Sequence, residues 1–246
     1  MAHRIEAIKQ KKEGLARSSF TLRFKQYACI STGNLSTYLG SKQMYYGQFN
    51  PPVDWLIERF FPEKYVGHCV EVGAVDGVHL SNTLYFEQRG WGCLCIEPNS
   101  YYHEALAKNR KVAMPFAVSN QNKDGVVLHR VQMGEGFGAC TSLVPDQKLI
   151  DQHEHLITAF DQILVNTRTL DWCLSCFEWP KIDFVAIDTE GTELAVLEGF
   201  NLDHWKPSLL IIENNHDDPE ITQHLRPRGY QKVIRYEVND FYVRID

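Results

Sequence analysis

From Pro51 onward, short apolar runs alternate with stretches whose apolar residues recur at helical spacing. His68–Gly73, Gly92–Glu97, Val112–Val118, Ile182–Asp188 and Ser208–Glu213 read as strands buried on both faces. Helices are predicted between them, at Val53–Phe60, Asn82–Arg89, Ser100–Asn109 and Thr192–Glu198. Gly125–Gln132 alternates like an additional strand, and Gln162–Arg168 is another extended piece. Tyr230–Tyr236 and Phe241–Ile245 alternate in period two around Val238-Asn239-Asp240, which predicts a terminal hairpin. Strands alternating with helices imply an α/β, Rossmann-like fold. Its mostly parallel sheet carries helices on both faces, with the hairpin as an antiparallel edge.

Residues 1–48 break this pattern. Arg4, Lys9, Lys11, Lys12, Arg17, Arg23 and Lys25 stand against only Glu6 and Glu13, on a weak helical recurrence of Ile5, Ile8, Leu15, Leu22 and Phe24. The stretch reads as a basic helical extension. It is either simply solvated, or a cap over the ligand site, or an arm packing on a second copy of the chain in a homo-oligomer. Residues 49–246 then form one large domain, and no internal repeat is visible.

Composition acts mainly by exclusion. A net charge of −6 speaks against a nucleic-acid partner, which usually requires a basic surplus. No apolar run approaches the roughly 20 residues of a membrane span, and the start lacks the apolar core of a secretory signal. Seven cysteines, an odd number without a tight framework, read as reduced thiols in a cytoplasmic protein.

The chemistry concentrates in Glu71-Val72-Gly73-Ala74-Val75-Asp76-Gly77 and in Cys95-Ile96-Glu97-Pro98. Strand, glycine turn, helix and a second strand ending in an acid is the arrangement that binds a nucleoside across the carboxyl ends of a parallel sheet. The turn is E-x-G-x-x-x-G rather than G-x-G-x-x-G. A carboxylate ahead of the glycines repels a pyrophosphate but suits a ligand carrying an ammonium and a sulfonium. That points to S-adenosylmethionine (SAM).

Together with Ser81-Asn82-Thr83, Ala117-Val118-Ser119 and Asp188-Thr189-Glu190-Gly191-Thr192-Glu193-Leu194, these segments resemble the FkbM family of SAM-dependent methyltransferases. The match runs in order from about Tyr45 to the end. The resemblance implies a class I fold, a seven-stranded sheet whose last two strands form the hairpin. It also implies O-methylation of a small molecule's hydroxyl on a sugar, glycolipid or polyketide. On this reading Gly73 and Gly77 line the cofactor turn, and Glu71 holds the methionine ammonium. Asp76, Asn82 and Thr83 meet the methionine end, although Asn82 reads equally as a helix cap. Glu97, followed by Pro98, accepts both ribose hydroxyls, and Ala117, Val118 and Ser119 border the adenine.

An aliphatic hydroxyl needs a base or a metal ion before it attacks. Asp188 and Glu190 follow one strand, and Glu213-Asn214-Asn215-His216 follow the next. An acid at one strand end and an acid–Asn pair at the other is similar to the magnesium site of catechol O-methyltransferases. By that similarity Asp188, Glu213 and Asn214 hold Mg²⁺; the plainer alternative has Asp188 and Glu190 orient loops and bind only SAM and acceptor. His216 is the preferred general base and His79 the second, while His153 and His155 need no function. Cys173 and Cys176 read as core thiols, and the Gly-rich Met133–Ala139 as a lid. Two rivals remain. An NAD(P)-binding oxidoreductase or epimerase would want a phosphate-tolerant turn and usually a Tyr-x-x-x-Lys pair. A non-catalytic methyltransferase-like binding module would leave the strand-end acids outside any pocket.

Overall fold

The computed structural model describes residues 44–134, 136–137 and 140–245. Positions 1–43 of the basic extension expected over residues 1–48 lie outside the described residues, as does part of the Gly-rich segment. Tyr45–Asp246 forms one unit.

In chain order the unit runs α1 (Val53–Glu58), β1 (His68–Val72), α2 (Leu84–Glu87), β2 (Gly92–Ile96), α3 (His103–Asn109), β3 (Ala113–Met114) and β4 (Ala117–Val118). There follow β5 (Lys123–Met133), β6 (Gly136–Phe137), α4 (Gln147–His153), β7 (Ile157–Arg168), α5 (Leu170–Leu174), β8 (Phe184–Ile187) and α6 (Glu193–Glu198). The chain closes with α7 (Leu202–Trp205), β9 (Leu209–Glu213), α8 (Pro219–Leu225), β10 (Tyr230–Tyr236) and β11 (Asn239–Arg244). The main sheet has seven strands in the order β10, β11, β9, β8, β1, β2, β3. Strands β1, β2, β3, β8 and β9 are parallel, and β11 is antiparallel to both β9 and β10. This order, with an antiparallel strand inserted next to the edge, is the class I methyltransferase topology expected from the sequence.

Period-two alternation assigns each strand's side chains to two cores. Val70, Val72, Val185, Ile187, Leu210 and Ile212 face α5, α6, α7 and α8, meeting Leu170, Leu174, Val196, Leu202 and Ile221. Cys69, Phe184, Ala186, Leu209 and Ile211 face α1 and α2, meeting Val53, Ile57, Tyr85 and Phe86. Cys173 is fully buried in the first core, but Cys176 is exposed, so the expectation of two core thiols is corrected to one.

One expected strand, Val112–Val118, is divided. Pro115 has no N–H to donate to a ladder, so pairing stops there. Before it, β3 continues the main sheet on β2; after it, β4 pairs with β7 in a second sheet of order β4, β7, β5, β6. Strands β5 and β7 form a long antiparallel ribbon, from Lys123↔Thr167 to Met133↔Ile157. The residues expected as an extra strand and an extended piece are thus the two arms of one insertion, whose far end carries α4.

Candidate active site

The register of the parallel strands fixes the site. Val72 pairs with Ile96 on one side and Ile187 on the other, and Ile187 pairs with Ile212. The next residue on each strand is therefore aligned: Gly73, Glu97, Asp188 and Glu213 stand in a row at the carboxyl ends, where open parallel sheets bind ligands. A cavity of about 530 Å³ opens there, within the usual range for small-molecule sites. Its lining includes Glu71, Gly73, Asn82, Glu97, Pro98, Ala117, Val118, Asp188, Glu190 and Glu213.

The glycine turn is built around close contact. Gly73 has φ +85°, and a Cβ there would overlap the carbonyl oxygen of Asp188. Gly77, with φ +78°, admits no side chain either, but the obstacle is Arg110 and Leu106; it packs against α3 and is not among the cavity residues. Asp76 is likewise turned to the backbone, its Oδ1 accepting from Val78 N at 2.9 Å and His79 N at 2.7 Å.

Glu71 reaches the cavity with its carboxylate already engaged. Ser81 Oγ and Thr83 Oγ1 donate to Oε2 at 2.8 and 2.6 Å, Asn82 N donates to Oε1 at 2.5 Å, and Arg110 Nη1 lies 3.2 Å from Oε2. The Arg110 guanidinium also bonds Glu87, Gly77 O, Ser81 and Thr83. Glu71 and Thr83 therefore knit the turn to α2 and α3; Glu71 also lines the cavity, whereas Thr83 does not. Sequence reading did not single out Arg110; a lone arginine after a helix carries no motif, and only a buried acid upstream asks for such a partner. Ser119 is not among the cavity residues either: its N–H donates to Arg168 O at 3.0 Å and its carbonyl packs on Gly199, while Ala117 and Val118 line the cavity.

Glu97, expected at the ribose, lines the cavity. It is 6% exposed, and its oxygens accept from Val75 N at 3.0 Å and Asn99 N at 2.8 Å, leaving lone pairs on both. Burial, reinforced by Asp188, pushes its carboxyl up to about 7 despite those bonds. Two buried polar atoms of residues on the same cavity, Asn82 Oδ1 and Asn99 Nδ2, lack partners among the described residues. Such orphans are costly and mark where a ligand's polar groups would be received.

On the acceptor side, Asp188, Glu190 and Glu213 bring carboxylate oxygens within 4.8 Å of one another. Burial is the first cause in each case: Asp188 rises to about 6, its bond to Glu213 lowering it while Glu193 and Glu71 push it up, and Glu190 rises to about 8 and Glu213 well above its ordinary value, each with the Asp188 charge adding to burial. The Asp188 and Glu213 carboxyls share a side-chain hydrogen bond, and the buried Glu213 Oε2 has no donor from an N–H or hydroxyl among the described residues. Glu193 accepts from Thr189 N and Gly191 N at 2.9 and 3.1 Å, which fixes the turn that carries Glu190 at φ +58°.

Two expected residues are turned elsewhere. The side chain of Asn214 bonds Asp240 at 2.9 Å, Asp218 O at 3.1 Å and Asp218 N at 2.7 Å. Its side-chain oxygen accepts at the start of α8 and Asn214 is not among the cavity residues; the cluster of acids is formed by Asp188, Glu190 and Glu213. His216 is not among the cavity residues, and its Nε2 lies 2.5 Å from Asp146 Oδ2. Its expected role as base gives way to that of a tie between the loop after β9 and the cap of α4. His79 does line the cavity, from its exposed rim.

A family model described as the methyltransferase FkbM domain matches residues 71–232, well over half of the chain. Among solved structures, three are similar at low identity. A precorrin-6y C5,15-methyltransferase from Geobacter metallireducens GS-15 is 11% identical, with 72% of this chain and 77% of that one covered and a TM-score of 0.35. A METTL16 methyltransferase domain is 12% identical, covering 78% and 63% with a TM-score of 0.37. An O-methyltransferase from Bacillus cereus in complex with SAH is 12% identical, covering 92% and 97% with a TM-score of 0.36. No curated protein matches the chain. Its strand order and the span of the family match lead to one assignment: the chain belongs to the FkbM methyltransferase domain family.

Proposed function

We propose that this protein is a SAM-dependent O-methyltransferase acting on a hydroxyl of a small molecule of the sugar, glycolipid or polyketide class. The observation that carries the reading is the alignment of Gly73, Glu97, Asp188 and Glu213 at the rim of one cavity. Glu97 receives the ribose hydroxyls, Asn82 and Asn99 meet polar groups of the cofactor, and Gly73 lets the ligand pass close over the turn. The cationic sulfonium is favoured beside so many carboxylates, and an NAD(P) pyrophosphate is disfavoured for the same reason.

The acid cluster fits a hard divalent cation. Carboxylate oxygens of three residues within 4.8 Å of one another, pushed up by burial, suit Mg²⁺. Asp188, Glu190 and Glu213 would hold it, and a bound Mg²⁺ supplies acidity to a hydroxyl that shares its shell. The remaining work belongs to the protein: it aligns the acceptor oxygen with the methyl carbon and the sulfur, and it keeps bulk water out.

Calorimetry with S-adenosylhomocysteine and with NAD⁺ tests the cofactor. Micromolar binding of the first and none of the second is expected; the reverse would overturn the reading. A methyl-transfer screen over sugars, glycolipids and polyketides, with and without EDTA, tests acceptor and metal. Activity that survives chelation removes Mg²⁺ from the scheme.

A further inference from the structure

We propose that His153, on the helix of the insertion, is the general base that takes the proton from the acceptor hydroxyl, a role that rests on the methyl-transfer reading above. Helix α4 is capped by Asp146, whose Oδ1 accepts from Lys148 N at 2.9 Å and Leu149 N at 3.1 Å. Leu149, Gln152 and His153 stand at i, i+3 and i+4, and all three line the cavity that also holds Asp188, Glu190 and Glu213. The helix therefore presents one face to the site.

The ring of His153 is held in a defined protonation pattern. Its Nδ1 lies 2.9 Å from the carbonyl oxygen of Leu149. A carbonyl only accepts, so Nδ1 carries the proton, and in the neutral ring Nε2 carries the lone pair. That is the tautomer a base requires, and the backbone of the same helix imposes it. The other cavity histidine, His79, has no hydrogen bond fixing its ring among the described residues, and His216 spends its Nε2 on Asp146.

The wall that carries His153 is fastened to the acid side of the site at three points. Cys140 N–H donates to the Glu190 carboxylate, Ser142 Oγ donates to Thr189 O at 3.1 Å, and Asp146 meets His216 at 2.5 Å. In the step itself, the O–H bond of the acceptor breaks and its proton passes to Nε2. The oxygen's electron pair forms the O–CH₃ bond, and the S–CH₃ bond breaks with its pair left on sulfur. S-adenosylhomocysteine and a methyl ether result, and the imidazolium releases its proton to solvent.

The test compares His153→Asn with His155→Asn, its exposed neighbour, in the full-length protein. Calorimetry with S-adenosylhomocysteine comes first; failure of wild type to bind sinks the methyltransferase reading itself. With binding intact, His153→Asn is expected to keep the wild-type affinity within about twofold. Against an acceptor found in the screen it should lose about 10²–10⁴ in kcat, together with the acidic limb of its pH profile, while His155→Asn changes neither. Full activity in His153→Asn overturns the proposal. Long-range ¹H–¹⁵N spectra of the ¹⁵N-labelled complex decide the matter without an acceptor. An Nδ1-protonated His153 ring, perturbed by cofactor binding, supports the role; an Nε2-protonated or unresponsive ring overturns it.

Discussion

His216 Nε2 and Asp146 Oδ2 meet at 2.5 Å across 70 residues of sequence, joining the loop after β9 to the cap of α4. His216→Ala is expected to loosen that helix rather than empty the cofactor site. Amide exchange over residues 146–153 should quicken while S-adenosylhomocysteine affinity holds. The pair is part-exposed, so a double-mutant cycle with Asp146→Asn should give a coupling of about 0.5–1 kcal/mol. Additive effects would show that the two side chains do not hold each other.

Glu97→Gln should weaken S-adenosylhomocysteine binding by about one to two decades, the worth of a charge-assisted bond at roughly 1.5–3 kcal/mol. The same carboxylate makes wild-type affinity sensitive to acid. Burial and Asp188 set Glu97 at about 7, so protonation below neutrality removes its charge and affinity should fall from pH 8 to pH 6. Calorimetry at the two pH values checks this, and Glu97→Gln should flatten the dependence.

Stability should run the other way. Glu97 at about 7, Asp188 at about 6, Glu190 at about 8 and the fully buried Asp54 at about 6 all lie above their ordinary values. Unfolded carboxyls titrate near about 4, so between these limits the folded chain binds more protons than the unfolded one. Their stabilising contribution is fully present below about pH 4 and is lost as pH rises through 6 to 8. Without added cation, the urea midpoint contributed by these groups should therefore fall from pH 5 to pH 8.5. A flat or rising midpoint would count against the burial of these acids.

Arg110→Met should be among the most damaging single changes. It strips the counter-charge from Glu71 and Glu87, which are 5% and 6% exposed at the side chain, and breaking a buried pair costs about 3–5 kcal/mol. Chemical denaturation measures it. Arg110→Met combined with Glu71→Gln should recover part of the loss, because fewer charges are then left unpaired.

The main sheet was legible because its strands are apolar on both faces and short, a pattern that helices of this length cannot mimic. The hairpin was legible from its alternation. The second sheet was not: β5 and β7 are half-exposed ribbons whose pairing joins Val126 to Val165 and Val131 to Phe160, contacts that no local pattern encodes. Pro115 was the available signal for the divided strand, and it lay inside an otherwise continuous apolar run. In the site, Gly73, Glu97, Asp188 and Glu213 were readable because backbone geometry places a strand's last residue. Asp146, His153 and Arg110 were not, since they act across distances in sequence that only the folded insertion and the α2–α3 packing create.

Glu71 changes what its motif is able to certify. A carboxylate that receives two hydroxyls, an amide and a guanidinium contributes to holding the turn together, whether or not any methyl group is ever moved. Retention of E-x-G therefore diagnoses the architecture, and the residues that report on working chemistry are those left with unspent bonding capacity: Glu97, Glu213 and Asn99.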